Sequence, residues 1–366
     1  MRNGSRPSPE GAPGGPGPHA VKVLLVAPAW VGDAVMAQVL LRVLADDHAH
    51  LAVEVVAPAA TAPLFERMAE VRAVHRLDVR HGEFGLGARR RLGRALAGAA
   101  FDVAYVLPNS WKSALVPVFA GVPRRVGYLG EARYGLLTDA RRLDRTALPR
   151  MVDRFAALAR PAAAPAPQTV PAPRLRADGA AGRALRTALG LDDAGPVLAC
   201  APGAEFGAAK RWPAEHFAAL AARHAAAGGA VWLLGSPADA PITARVRDAV
   251  PAAQRARVHD LAGRTRLTEA VDLLAEADAL VTNDSGLMHV ACALDRPVLA
   301  LYGSTSPGFT PPLGERVRSL SLELSCAPCF ARECPLGHLR CLRALTPEVA
   351  AGALDELLEA RPACVS

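Results

Sequence analysis

Residues 21–33 read VKVLLVAPAWVGD, and AVMAQVLLRVLA follows directly at residues 34–45. Val21–Val26 is a continuous apolar run, as a strand needs when a parallel sheet is covered on both faces. The loop after it is short. The next segment gathers its apolar residues on one face at helical spacing. Outward along the chain the pattern repeats. Strands are expected at Ala52–Ala57, Ala73–Leu77 and Val103–Leu107, with helical stretches between them, which predicts a parallel sheet. The pattern loosens between Arg124 and Arg160. It resumes with strands at Val197–Ala201, Val231–Leu234, Val258–Leu261, Ala279–Thr282 and Val298–Leu301, and helices at Ala214–Ala227 and Thr268–Ala277. Residues 161–173 (PAAAPAPQTVPAP) read as a semi-rigid, extended linker. Thr346–Leu358 predicts a terminal helix, with Thr346 as N-cap and Pro347 at its first position. The expectation is an α/β chain of two similar halves. Residues 21–173 (linker included) form the first, residues 174–345 the second, and residues 346–366 carry the closing helix. Ligands of such sheets bind at the carboxyl ends of the strands, and two halves leave a cleft between them.

Composition narrows the class. The chain has 366 residues, of which 51% are hydrophobic, enough apolar surface to exclude a disordered polymer. It contains no uncharged apolar run long enough for a transmembrane helix. Residues 1–20 are rich in Gly and Pro, lack the apolar core of a secretory signal, and read as a disordered tail. Seven cysteines are an odd number, which argues against a disulfide framework. A cytoplasmic chain with reduced thiols is therefore expected. The net charge is +7, and it is unevenly placed: residues 1–170 hold 22 Lys and Arg against 14 Asp and Glu, the remainder 20 against 21. The basic half suits an anionic partner or is simply a soluble Arg-rich surface. Aromatic residues are 5% of the chain and are not interleaved with the basic runs, so a nucleic-acid stacking surface is not expected.

Four places carry polar groups suited to chemistry. In Pro28–Asp33, Gly32 allows close backbone approach, and Asp33 sits at a helix N-terminus, where its pKa is expected to fall. Asp33 is either a plain helix cap or a general base aimed into the cleft. In residues 202–213 (PGAEFGAAKRWP), a Gly-containing loop with adjacent Lys210 and Arg211 follows a buried strand and suits a diphosphate, although the P-loop spacing is absent. In residues 282–289 (TNDSGLMH), a strand-to-helix junction offers backbone N–H groups at Ser285 and Gly286, with Asp284 and His289 beside them. Finally Cys326, Cys329, Cys334 and Cys341 cluster within 16 residues, with His338 between. Their spacing does not repeat the paired form of most structural zinc sites, so zinc and plain reduced thiols both stay open. No D-x-D triplet occurs, and no G-x-G-x-x-G follows either opening strand, which weakens a dinucleotide-dependent dehydrogenase.

At these residues the chain resembles the bacterial ADP-heptose:lipopolysaccharide heptosyltransferases, closer to their heptosyltransferase II branch than to heptosyltransferase I. The matching stretches are residues 27–44 (APAWVGDAVMAQVLLRVL), 107–139 (LPNSWKSALVPVFAGVPRRVGYLGEARYGLLTD), 202–213, 281–294 (VTNDSGLMHVACAL) and 301–313 (LYGSTSPGFTPPL). The resemblance implies a GT-B fold: two Rossmann-like domains with parallel sheets facing a central cleft, the C-terminal helix packing back toward the first domain. It implies an inverting, metal-independent transfer with no cofactor, moving L-glycero-D-manno-heptose from ADP-heptose to a heptosyl-Kdo-lipid A acceptor. The enzyme would work in the cytoplasm, at most peripherally at the inner face of the inner membrane. Asp33 then corresponds to the catalytic base and Lys210 to the lysine on the donor phosphates. Gly32, Ala204, Glu205, Asp284, Ser285, Gly286 and His289 fall to the donor side. Lys112, Arg124 and Arg125 are the acceptor candidates, with Arg141 and Arg142 beside them. A related GT-B transferase with another nucleotide-sugar or acceptor is the alternative.

Overall fold

The structure, a computed structural model, describes residues 20–80, 82–192 and 194–359. The expected tail and the last residues of the chain lie outside them. Two six-stranded parallel sheets organise the molecule. The first contains β1 (Val21–Val26), β2 (Leu51–Pro58), β3 (Val71–Leu77), β4 (Val103–Val106), β5 (Arg124–Tyr128) and β6 (Asp139–Arg141), in the order β3-β2-β1-β4-β5-β6. The second contains β7 (Val197–Ala201), β8 (Ala230–Leu233), β9 (Val258–Asp260), β10 (Ala279–Asn283), β11 (Val298–Tyr302) and β12 (Val317–Ser321), in the order β12-β11-β10-β7-β8-β9. Both halves share one topology, the doubly wound order of a Rossmann-like domain, and each sheet reverses its winding at its first strand. The two switch points lie between β1 and β4 and between β7 and β10. The loops that leave β1, β7 and β10 are those singled out in the sequence.

The central strands are fully buried because they are apolar on both faces. VLACA in β7 and VLALY in β11 expose nothing to solvent. The predicted helix at residues 34–45 is two helices, Val31–Met36 and Gln38–Asp47, meeting at Ala37. The buried Gln38 beside the break donates to Glu70 (2.8 Å) and to the Arg174 carbonyl (2.7 Å), and accepts from the Arg174 amide. It pins the end of the 161–173 linker to the first domain; Arg42 does the same at Ala172. The linker has no regular structure, as expected.

The terminal helix, Pro347–Glu359, corrects one expectation. Its apolar stripe of Ala350, Ala353, Leu354 and Leu357 packs on the second domain, against β11, β12 and the Ala214–Ala226 helix, not toward the first domain. The cause is local. Trp212 Nε1 donates to the Leu345 carbonyl (2.7 Å) just before the helix, and Arg223 pairs with Asp355. The bridge between halves is made elsewhere. Arg67 pairs with buried Asp272 at 2.7 Å, the Met151 amide donates to Phe309, and a continuous apolar cluster joins residues of both domains.

Candidate active site

The Val31–Met36 helix at the first switch point meets the Gly286–Ala293 helix at the second, N-terminus to N-terminus. Glycine on each side makes the approach possible. A Cβ at Gly32 would lie 2.8 Å from His289 Cδ2, and one at Gly286 would lie 2.7 Å from Val31 Cβ. Any larger residue at either position would push the domains apart.

Trp30 is the N-cap residue of this helix and Asp33 stands in its first turn, so Asp33 is not the N-cap. Its pKa moves opposite to expectation, rising to about 6. Burial at the domain junction is the largest cause; the Lys210 ammonium opposes it, and the Asp284 carboxylate adds to it. A six-residue helix offers too little dipole to outweigh that desolvation. Because all three groups act on each other, the carboxylate from β1 and the cation from the β7 loop share one cleft, although 177 residues separate them in sequence.

On the opposite wall, Lys210 Nζ donates to Asp284 Oδ2 at 2.6 Å. Asp284 is held on its other sides by Thr305 Oγ1 (2.7 Å) and Thr310 Oγ1 (3.2 Å), both in the loop after β11. A buried ion pair needs such extra donors to offset its desolvation. Both Lys210 and Arg332 lie over the Phe206 ring, 5.0 and 5.2 Å from its centroid. His289 is buried, and its pKa falls to about 4 through burial, which outweighs Asp284; Lys210 lowers it further. The imidazole is therefore neutral at pH 7 and is not a cation.

Beside this cluster a cavity of about 310 Å³ is lined by Gly203, Ala204, Glu205, Ser236, Ser285 and Gly286, among others. Ser285 is the N-cap residue of the Gly286–Ala293 helix, and its hydroxyl meets Thr282 Oγ1 at 3.0 Å. It therefore stands at the helix mouth, not on the helical face with His289 that the four-residue spacing predicts. The start of that helix, at Ser285 and Gly286, opens on the cavity, a setting for an anionic group, and Arg266 also lines it.

Asn283 was not singled out in the sequence. It is fully buried, accepts from the Trp212 amide (2.9 Å) and donates to the carbonyls of Pro202 (2.8 Å) and Gly203 (3.3 Å). It ties the end of β10 to both ends of the Lys210 loop. An Asn closing an otherwise apolar strand was the available signal, since a buried amide must find partners.

The acceptor candidates separate. Lys112 follows β4 at its carboxyl end and holds the carbonyls of Gly82 and Glu83 at 3.1 Å each. Arg124 and Arg125 start β5, at the end of the sheet away from the cleft. Arg124 pairs with Asp139 at 3.2 Å, and Arg125 donates to the carbonyls of Leu136 and Val122. Their guanidinium groups knit β5 to β6 and to the turns beside it. Arg141 is likewise committed, to Asp139 and the Ala157 carbonyl. Among the described residues no three Cys, His, Asp or Glu side chains are grouped to hold a metal ion, the cysteine cluster included.

Residues 89–340 match the family model of glycosyltransferase family 9 (heptosyltransferase). The chain belongs to that family. It is 43% identical to lipopolysaccharide heptosyltransferase 2 of Salmonella typhimurium, over 92% of this chain and 99% of the relative. Lipooligosaccharide heptosyltransferase 2 of Haemophilus influenzae is 42% identical over the same shares. The solved structure of Escherichia coli ADP-heptose lps heptosyltransferase II superposes with a TM-score of 0.83 at 42% identity, covering 92% of this chain and 98% of that one. The chain is thus a glycosyltransferase of family 9, and its two parallel sheets are those of the GT-B heptosyltransferase fold.

Proposed function

We propose that this chain transfers heptose from ADP-heptose to the first heptose of the lipopolysaccharide inner core. The observation that supports the reading is a desolvated carboxylate, Asp33, at the junction of two doubly wound domains, within the electrostatic reach of the Lys210–Asp284 pair. In its ionised form Asp33 takes the proton of an acceptor hydroxyl as that oxygen bonds to the anomeric carbon. The bond from that carbon to the diphosphate oxygen breaks on the opposite face, ADP leaves, and the configuration inverts. Negative charge grows on the leaving diphosphate. Lys210 and the backbone N–H groups at Gly286 stabilise it in place, already oriented. Ala204 and Glu205 line the donor cavity, neutral His289 supplies a ring N–H, and Gly32 keeps the two walls in reach. Lys112, at the carboxyl end of β4, sits on the acceptor lip. No divalent ion is required by this division of charge, and turnover is expected to persist in excess chelator. Among the described residues no helix is long and apolar enough to cross a membrane. The enzyme meets its lipid-linked acceptor from the cytoplasmic side, peripherally.

The test is incubation with ADP-heptose and an inner-core acceptor carrying one heptose, read by mass spectrometry. A gain of one heptose, with release of ADP, is expected. Transfer from a UDP- or GDP-sugar instead, or onto an acceptor that carries no heptose, would replace this reading with the related transferase.

A further inference from the structure

The Leu86–Leu96 helix, between β3 and β4, carries the sequence LGARRRLGRAL and has no acidic residue. Its inner side is set flush against the Leu115–Phe119 helix: a Cβ at Gly93 would stand 2.5 Å from Phe119 Cβ. Arg89 turns inward and donates to the Phe84 carbonyl at 2.8 Å. What remains outside is a stripe of Leu86, Arg90, Arg91 and Arg94, all exposed, on one face by their three- and four-residue spacing. None of these three arginines has an ion-pair or hydrogen-bond partner among the described residues. At the head of the stripe lies an exposed aromatic pair, Phe84 and Trp111, with ring centroids 5.0 Å apart. Phe84, Leu86 and Trp111 are 40, 44 and 41% exposed, unusual for large apolar side chains. The pair is held ready: Lys112 ties the loop before Phe84 to the loop that bears Trp111. That loop follows the carboxyl end of β4, which the functional reading above gives to the acceptor.

We propose that Phe84, Leu86, Arg90, Arg91 and Arg94 form a docking face for the anionic headgroups of a phospholipid bilayer. The inference rests on the functional reading above for its purpose, since a glycolipid acceptor is presented at such a surface. Its physical basis is independent of that reading. Unpaired arginines beside exposed Phe, Leu and Trp make up the two-part pattern of an interfacial helix: cations at the headgroups, apolar groups just beneath them. Two tilted rings at one end of the stripe do not make a track for successive bases. The stripe is about 12 Å long from Leu86 to Arg94, at 1.5 Å per residue. Its aromatic end adjoins the cleft, so docking would bring the acceptor sugars to the side from which Asp33 is reached.

The test is co-sedimentation of the full chain with vesicles, in the absence of donor and acceptor. Vesicles of phosphatidylcholine alone are compared with vesicles containing about half phosphatidylglycerol. Binding to the anionic vesicles is expected to be at least ~10-fold stronger and to weaken in high salt. Arg90→Ser/Arg91→Ser/Arg94→Ser is expected to lower the partition coefficient by ~100-fold, at about fivefold per cation. Arg90→Lys/Arg91→Lys/Arg94→Lys keeps the charge and is expected to keep binding. Phe84→Ser/Leu86→Ser is expected to lower it by ~10-fold or more. On a delipidated, water-soluble acceptor both serine variants should turn over like the parent, which shows they are folded. Equal binding of the parent to neutral and anionic vesicles, parent-like binding of the triple serine variant, or binding only when the glycolipid acceptor is added would each overturn the proposal. Tighter retention on single-stranded nucleic acid than on vesicles would do the same. A failure of heptose transfer appears only in the turnover arm and leaves the vesicle result readable.

Discussion

Replacing Asp33 by Asn is expected to lower turnover by ~10²–10⁴ and, at pH 7, to raise thermal stability. The loss is what a positioned general base contributes. The gain follows from the direction of its pKa. In the folded chain the carboxyl is pushed from 3.8 up to about 6 by burial. Folding therefore favours the protonated form. As pH rises through the interval from about 4 to about 6, the unfolded chain ionises first and stability falls. At pH 7 the carboxylate costs about 1–3 kcal/mol, the upper figure being two pKa units. An amide of the same shape escapes that cost. A few degrees of increase in melting temperature, measured by calorimetry beside the kinetics, is expected. Near-parent turnover in Asp33→Asn would remove the residue from its role. A lowered melting temperature would show that the carboxylate is structurally favourable, contrary to its surroundings.

Lys210→Gln is the second large effect. The ammonium neutralises buried Asp284, and in the proposed reaction it also stabilises the charge that grows on the leaving diphosphate. Losing one oriented donor to such charge lowers kcat by about 10²–10³, and the donor KM should rise as well. Leaving Asp284 unpaired destabilises the fold, because breaking a buried pair from one side costs about 3–5 kcal/mol. Thr305 and Thr310 still donate to the carboxylate, which puts the expected cost at the lower end. A second variant, Lys210→Gln with Asp284→Asn, separates the two roles: it should recover the stability while turnover stays low. Full recovery of turnover in the double variant would mean that Lys210 serves only the packing of Asp284.

The central strands were legible in the sequence because burial on both faces forces continuous apolar runs, as in VKVLLV, VLACA and VLALY. Edge strands are not under that demand. DAR in β6 and VRSLS in β12 are edge strands that carry polar residues and lie partly exposed, so their alternation is weak and they escaped notice; β5 is paired on both sides, but RRVGY opens on two arginines and leaves only a three-residue buried run. The loops of the site were legible because they leave buried strands and carry Gly beside Asp, Lys or Ser. The encounter of those loops was not. Nothing local in the chain states that Gly32 faces His289, or that Thr305 and Thr310 hold Asp284. For Asp33 the local rule, a carboxylate favoured at a helix N-terminus, pointed the wrong way, because the second domain covers it. The partners of Arg124 and Arg125 were hidden for the same reason: a cation reads as free until the carbonyls and carboxylates around it are known.

The most direct test is the pH dependence of kcat/KM for the parent enzyme and for Lys210→Gln, which reports the ionisation of groups in the free enzyme. Asp33 must be ionised to accept a proton, so the rate should fall with unit slope as pH drops through about 6. His289, lowered to about 4, is already neutral there and does not shape that limb. Because Lys210 holds the Asp33 value down, its removal should move the limb to higher pH. A limb at the ordinary carboxylate value that stays in place without Lys210 would contradict a desolvated base facing a cation across the cleft.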